Sequence, residues 1–539
     1  MSAFKTITVQ HVRQSLLEKI EIALIDLREE ALFAMAHPLF AVNMPLGRIE
    51  ADAWVRIPRL DAPIVLLDDG QKLTQRAALA LQQLGYSDIG LLETQPNVDG
   101  EPSGIAAWEA AGGELFQDVN VPSKAFGELV ESVRHTPSLS AQEVQALQQA
   151  QSNMVVLDVR RFDEYNTMNI PGGINVPGAE LVLRARTIAP DPATHIVVNC
   201  AGRTRSIIGT QSLVNAGIPN KVTALRNGTI GWTLAGQALE HGAKQRFGEV
   251  SDAMALEAAS RAQAVAKRAG VKTISAQTLL AYQAESSRTT YCLDVRTPQE
   301  YESAHLPGFW SAPGGQLVQE TDFHAAVRGA RIVLFDTDGV RANMSASWLA
   351  QMGWDVVVLE QQPGSALAQK GPPAYPAPPL PNPAQCVDAN TLHLWLSQAS
   401  PRTLVLDFSP SANYVKSHIP GAWFVLRSDL ARALRNLPAA DRYVLTDSCT
   451  RLARHALPEV STLTGKPTYL LEGSTPAWQK AGYAGDSGEG HLASPRIDRY
   501  RRPYEGTDAP VQAMQAYLDW EFGLVAQLGR DGTHGFRVI

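Results

Sequence analysis

The residues best suited to chemistry in this chain of 539 residues form one run, Asn199-Cys200-Ala201-Gly202-Arg203-Thr204-Arg205-Ser206. A lone cysteine is most often a buried core residue. The context of this one argues otherwise. It follows His195-Ile196-Val197-Val198, which reads as a short buried parallel strand. It precedes Ile207 to Val214, which reads as a helix ending near Gly217. At such a strand-to-helix turn, backbone N–H groups converge and the helix dipole favours an anion. Arg203 and Arg205 follow the cysteine at +3 and +5. Both effects are expected to lower the thiol pKa and hold a nucleophilic thiolate.

The elements that must position this loop recur along the chain. An apolar-Asp segment appears at Leu24-Ile25-Asp26-Leu27-Arg28, Val156-Leu157-Asp158-Val159-Arg160, Cys292-Leu293-Asp294-Val295-Arg296 and Val405-Leu406-Asp407-Phe408-Ser409. Each reads as a buried strand ending in a polar turn. A second apolar strand follows each and runs into a loop that begins at Asp68, Cys200, Asp336 or Asp447. The step is 42 residues from Asp26 to Asp68, Asp158 to Cys200 and Asp294 to Asp336, and 40 from Asp407 to Asp447. Gly85, Gly217 and Gly353 each follow their loop's first position by 17 residues. Independent strands would not keep this register, so the chain reads as four copies of one α/β unit. Alternating short strands and helices predict a parallel sheet with helices on both faces in each copy, and ligands bind outside the carboxyl ends of such strands.

The units are expected over 1–117, 137–247, 271–370 and 385–490, with a helical tail over 491–539. Residues 118–136 read as a mixed polar linker, 251–268 as a connecting helix, and the proline-rich 371–383 as a semi-rigid spacer. In the tail, a basic patch from Arg496 to Arg502 precedes a helix over Val511 to Leu528. Its stripe of Met514, Tyr517, Leu518, Phe522 and Val525 is expected to pack on the body or join a homodimer. A net charge of −7 argues against nucleic acid as a partner. No apolar run reaches signal-peptide or membrane-span length, which predicts a cytoplasmic protein with no membrane partner. Four cysteines without CxxC spacing provide neither a disulfide framework nor a zinc knuckle.

Several further runs complete a pattern. They are Asp163-Glu164-Tyr165, Ile170-Pro171-Gly172-Gly173-Ile174-Asn175-Val176-Pro177, and Leu225-Arg226-Asn227-Gly228 with Gly231-Trp232. With Leu157-Asp158-Val159-Arg160 and the Cys200 loop, they make the chain resemble the rhodanese sulfurtransferase family, as four tandem rhodanese-like domains. Asn169 departs from the family, which usually has histidine before the Ile-Pro-Gly turn; this is expected to alter turn packing and not chemistry.

The resemblance implies a ping-pong reaction with no cofactor and no metal. A Cys200 thiolate takes sulfur from a small sulfane donor such as thiosulfate or a low-molecular-weight persulfide. A thiophilic acceptor, whether cyanide, a small thiol or a protein thiol, then removes it. N–H groups from Ala201 to Ser206, including Gly202 and Thr204, would cradle the persulfide, while Arg203 and Arg205 bind the anionic donor. Asp158 and Arg160 are expected to pair with each other and support the loop from behind. Tyrosine-type phosphatases need Cys-x5-Arg; here Arg205 makes Cys-x4-Arg, a tighter loop that suits sulfur better than phosphate. The loop also lacks the Cys-Gly-Ser/Thr-Gly-Val-Thr pattern associated with mercaptopyruvate.

Asp68, Asp336 and Asp447 cannot form a persulfide and would fill the cradle with their own charge. Those copies are expected to be inactive, acting as scaffold, access control or docking surface. Cys449 lies two positions into the fourth loop and reads as an incidental thiol, with a second sulfur carrier as the competing reading. Cys292 reads as core. A protein that takes up sulfur or oxidant at Cys200 without turnover, as a carrier, sensor or interaction scaffold, is the alternative from a different class.

Overall fold

The computed structural model describes residues 4–376, 378, 381–448, 451–506 and 508–539. It contains four five-stranded sheets, and all strand pairs within them are parallel. In each sheet the spatial order, numbered along its own unit, is 1-5-4-2-3. In the second unit the strands are Ser138–Leu139, Met154–Asp158, Ile174–Asn175, His195–Asn199 and Val222–Leu225. The long central strands are apolar throughout because helices cover both faces. The apolar-Asp segment is therefore always strand two, and the loop opened by Asp68, Cys200, Asp336 or Asp447 always follows strand four.

The glycines that close the following helices carry positive φ, 99° at Gly85, 64° at Gly217 and 84° at Gly353, a conformation that costs glycine least. The turn before strand three also repeats. His305 and His418 stack on Tyr301 and Tyr414, with centroids 3.8 and 4.0 Å apart, and a ring nitrogen of each meets the tyrosine carbonyl. Asn169 keeps that bond, donating to Tyr165 O at 3.3 Å, but its buried Oδ1 has no partner.

The connecting segments differ from their sequence reading in one respect. Residues 118–136, read as a mixed polar linker, contain the helix Val121–Arg134, largely buried between units. Its Phe126 and Val130 lie in an apolar cluster shared by units one and three. The helix Asp252–Arg268 packs Ala258, Ala262 and Val265 into the core of unit two.

The tail helix runs from Val511 to Asp531 and packs on the body. Its buried stripe is Met514, Tyr517, Leu518, Glu521, Leu524 and Leu528, whereas Phe522 is exposed. The expected register of Phe522 and Val525 is thus corrected by about one residue. A glutamate occupies a position that apolar periodicity would give to a hydrophobe. Leu524 and Leu528 enter the core of unit one, while Met514, Tyr517 and Leu518 pack with Ala201 and Ile230 of unit two. No helix among the described residues is long and apolar enough to cross a membrane.

Candidate active site

Cys200 stands at the end of strand His195–Asn199, where Thr204–Asn215 begins a helix. Asp158, at the end of the neighbouring strand, is the anchor behind it. Arg160 donates to both Asp158 oxygens, Nε to Oδ1 at 2.9 Å and a terminal nitrogen to Oδ2 at 2.8 Å. The same guanidinium donates to Met168 O, and Asn199 Nδ2 donates to Asp158 Oδ2 at 2.8 Å. The residue preceding the cysteine is thereby tied to the pair. Units one and three repeat this pair as Asp26–Arg28 and Asp294–Arg296. Unit four has Ser409 instead of arginine, and burial pushes Asp407 up to about 6.

A second support comes from the Asn227-Gly228 turn. Thr229 N donates to Cys200 O and Ile230 N to Ala201 O, each at 3.0 Å. Gly228 has φ +54°, and a Cβ there would lie 2.3 Å from Cys200 O. Glycine is needed for this approach.

The thiol lies inside the protein: Cys200 is 1% exposed, as are Ala201 and Ser206. The backbone N–H of Ser206 meets the sulfur and favours its charged form, while the Ser206 hydroxyl donates to Arg203 O at 2.8 Å. Burial nevertheless outweighs this bond and the charge of Arg205, and pushes the Cys200 thiol up. The expected lowering by loop and arginines is corrected here: desolvation of a wholly enclosed thiolate is the larger effect.

The two arginines are divided. Arg205 forms a double bond pair with Glu164, both contacts at 2.8 Å, and this holds Glu164 down to about 2. Its charge also acts on Cys200. Arg203 does not serve the cradle. It is 5% exposed, donates to Glu128 at 2.8 and 2.9 Å, contacts Glu131, and lies 4.2 Å over the Phe522 ring. Two carboxylates already match its charge, so the expected donor-binding role is replaced by fastening unit two to the helix Val121–Arg134 and the tail.

Sequence reasoning missed the cover. A Cβ on Gly202 would lie 3.2 Å from Tyr517 Cε1 and 3.4 Å from Glu521 Oε2. Glu521 is fully buried, accepts from Tyr517 Oη at 2.9 Å, and is pushed up to about 8 mainly by burial. The signal was present in the sequence, a glutamate inside an apolar stripe. Lys124 sits among Tyr504, Tyr517 and Trp520, 5.1–5.8 Å from the rings, and pairs with Asp118 at 2.9 Å.

The other loops keep the cradle and change its content. Asp336 Oδ2 accepts from Ala342 N at 2.8 Å, and Oδ1 accepts from Gly339 N at 2.8 Å. Asp447 Oδ2 accepts from Ala453 N at 3.0 Å, and Asp68 Oδ2 from Leu73 N at 2.5 Å. Cys449 lies outside the described residues. Cys292 is buried in strand Thr290–Asp294, where burial pushes its thiol up to about 11. Among the described residues no three His, Cys, Asp or Glu side chains gather as metal ligands.

Comparison with known proteins agrees with the fourfold fold. The rhodanese-like domain model matches four times, at 9–94, 140–235, 275–361 and 389–481. The chain belongs to the rhodanese-like family. It is similar to a thiosulfate sulfurtransferase from Pseudomonas aeruginosa, with 61% identity, TM-score 0.95, and coverage of 99% of this chain and 100% of the other. A protein from Bacillus halodurans is 18% identical, covers 21% of this chain and 85% of its own, and has TM-score 0.18. A protein from Anabaena sp. is 22% identical, covers 19% of this chain and 82% of its own, and also has TM-score 0.18. No protein of curated function matches.

Proposed function

We propose that this chain is a sulfurtransferase that carries a sulfane sulfur on Cys200. One observation carries the reading: among the four equivalent loop positions, Cys200 alone puts sulfur where the others put a carboxylate. The full-length similarity to a protein described as a thiosulfate sulfurtransferase supports it.

In the reaction, the Cys200 thiol loses its proton to solvent. The thiolate attacks the outer sulfur of thiosulfate or of a low-molecular-weight persulfide. The donor's S–S bond breaks, its electron pair leaves with sulfite or the donor thiolate, and a Cys200 persulfide remains. Cyanide, a small thiol or a protein thiol then attacks the outer sulfur and regenerates the thiolate. The Ser206 N–H holds the negative sulfur, and Arg205 offsets its charge. Asp158 and Arg160 position the loop through Asn199. The units at 1–117, 271–370 and 385–490 and the tail at 491–539 act as scaffold around the catalytic unit at 137–247. We place the protein in the cytoplasm.

The burial of Cys200 favours a second reading, a carrier or sensor that accepts sulfur without turnover. Intact mass after thiosulfate, followed by cyanide and a thiocyanate assay, separates the two. A one-sulfur adduct on wild type, absent from Cys200→Ser and discharged over many cycles, is expected. An adduct that cyanide does not discharge supports the carrier. An adduct persisting in Cys200→Ser moves the chemistry to another thiol, Cys449 first.

A further inference from the structure

Strand three is an outer strand of every sheet, and in two units the chain itself covers it. In unit two Asn175 N donates to Gln245 O at 3.1 Å, and Phe247 N donates to Asn175 O at 3.3 Å. In unit four Phe424 N donates to His491 O at 2.9 Å, and Ala493 N donates to Phe424 O at 3.0 Å. Each time a short extended segment from beyond the unit's last helix lies parallel to the edge.

Unit three begins the same return and does not finish it. Gln369 bridges His305 as Glu240 bridges Asn169 and Asp486 bridges His418. Two residues later Gly371 N donates to Glu302 O at 2.8 Å, as Gly242 N does to Asn166 O and Gly488 N to Val415 O. Pro372 and Pro373 follow, and the pairing stops. Seven residues after the bridge stand Phe247 and Ala493, which donate to the edge; in unit three the seventh is Pro376, which has no N–H to give. Ala312 N donates to Asp294 O at 2.9 Å, so the N–H and C=O of Ser311 face outward. Neither meets a partner among the described residues. In unit one Arg56 donates to the equivalent carbonyl, Asn43 O, at 2.9 Å.

The open edge lines a cleft of 770 Å³ where units one, three and four meet. Tyr375 lies 5.4 Å from the Trp310 ring and is 47% exposed. Trp423, the counterpart of Trp310, meets His491 of its added segment at 4.9 Å. The charges of the cleft are matched among themselves. Arg59 pairs with Glu21 and Asp61, Arg288 with Asp355, Arg331 with Glu285, and Arg48 and Arg451 with Asp52. Arg56 is held by the carbonyls of Asn43 and Asp322, with the Asp52 and Asp322 carboxylates acting on it. Burial and Arg56 take His324 down to about 4, which leaves it neutral. The cleft thus offers backbone groups and aromatic rings, and no net charge.

We propose that the Ser311 edge is a docking site for an uncharged extended segment of a partner protein, which adds to the sheet of unit three in parallel as 245–247 and 491–493 add to theirs. The backbone supplies the affinity, and Trp310 favours an apolar or aromatic side chain beside it. Pro376 keeps the edge open by denying the chain's own segment the N–H that closure needs. The proposal is independent of the chemistry at Cys200.

The experiment uses the full chain and a blocked peptide with the sequence Gly490-His491-Leu492-Ala493-Ser494, carrying a photoreactive diazirine at the Leu492 position. Irradiation is expected to label residues around Trp310, Ser311 and Tyr375, as peptide mass mapping would show. Unlabelled peptide competes. N-methylation at the Ala493 position removes the N–H meant for Ser311 O and weakens competition about tenfold. N-methylation at the Leu492 position, whose N–H faces away in the ladder, leaves competition unchanged. Pro376→Ala returns an N–H to the chain's own segment and lowers labelling about tenfold, with the circular dichroism of wild type. Labelling elsewhere, or equal competition by the two methylated peptides, overturns the proposal. So does labelling that Pro376→Ala leaves unchanged. Self-association of the chain that Pro376→Ala abolishes would assign the edge to a second copy and overturn the partner assignment.

Discussion

At the loop of unit two, the first side chain accepts the N–H of Ser206; at the loop of unit three, it accepts the N–H of Ala342. Both donors lie six positions after the loop's first residue. Five positions after it stand Arg205 and Arg341, and each pairs with a glutamate on the helix following strand two, Glu164 or Glu300. Both glutamates are held down to about 2. The difference lies in what remains for a ligand. Arg341 is bound by Glu300, by Asp338 and by Glu180 of unit two. Asp336 fills the cradle, and burial raises it to about 7. Arg205 has Glu164 and the sulfur. The loop of unit three thus keeps the geometry of unit two, with its own carboxylate in the cradle and its cation saturated.

The largest expected effect breaks the comparison by making unit two like unit three. In Cys200→Asp, thiocyanate production falls at least ~10⁴-fold, while circular dichroism and subunit mass stay those of wild type. The reverse exchange, Asp336→Cys, is expected to add no second site that thiosulfate can load, because Arg341 remains saturated; intact mass decides this.

Arg205→Gln should cost about 2 kcal/mol, the loss of a largely buried pair discounted for Glu164 being partly exposed, and lower kcat/KM about a hundredfold. Urea unfolding and turnover measure the two. The sign with pH follows from Glu164. Its folded value is depressed to about 2, so its contribution is full above the unfolded value near 4.3 and is lost as pH falls towards 2. Arg205→Gln should flatten that acid limb.

Asp336 has the opposite sign. Its folded value is raised to about 7, so its favourable contribution is present below pH ~4 and lost as pH rises through 7. Asp336→Asn is expected to be more stable than wild type by about 1–2 kcal/mol at pH 8, with the gap closing towards pH 4, as thermal unfolding at the two pH values would report. Equal stability at pH 8 would mean that the cradle's N–H groups fully compensate the buried charge.

The smallest effect concerns the turn behind the site. Asn169→His should let the ring stack on Tyr165 as His305 and His418 do on their tyrosines. The expected gain is about 0.5 kcal/mol, read as a small rise in Tm, with turnover unchanged. A change in turnover would give the turn a part in the chemistry.

Much of this organisation was legible in the residues. The 42-residue step from the apolar-Asp segment to the loop marks the fourfold repeat, because a shared register needs a shared unit. Cys200 stands out because its neighbours make a strand-to-helix turn, and the Asp158–Arg160 pair is local enough to be anticipated. The parts that were not legible depend on segments far apart in the chain. Glu128 and Glu131 come from a helix read as a linker, and they remove Arg203 from the cradle. Tyr517 and Glu521 close over Gly202 from more than 300 residues away. The thiol's ionisation followed the same course. The sequence supplies the helix terminus and the arginines, both of which favour the thiolate. Only the tertiary structure decides how much water the sulfur keeps, and removing nearly all of it outweighs them. The sequence alone therefore determined in which of four equivalent loops a thiol stands at the first position. Packing of the tail against unit two decided how that thiol is covered and which arginines remain to face an anion, because desolvation and ion pairing depend on what lies nearby in space and not along the chain.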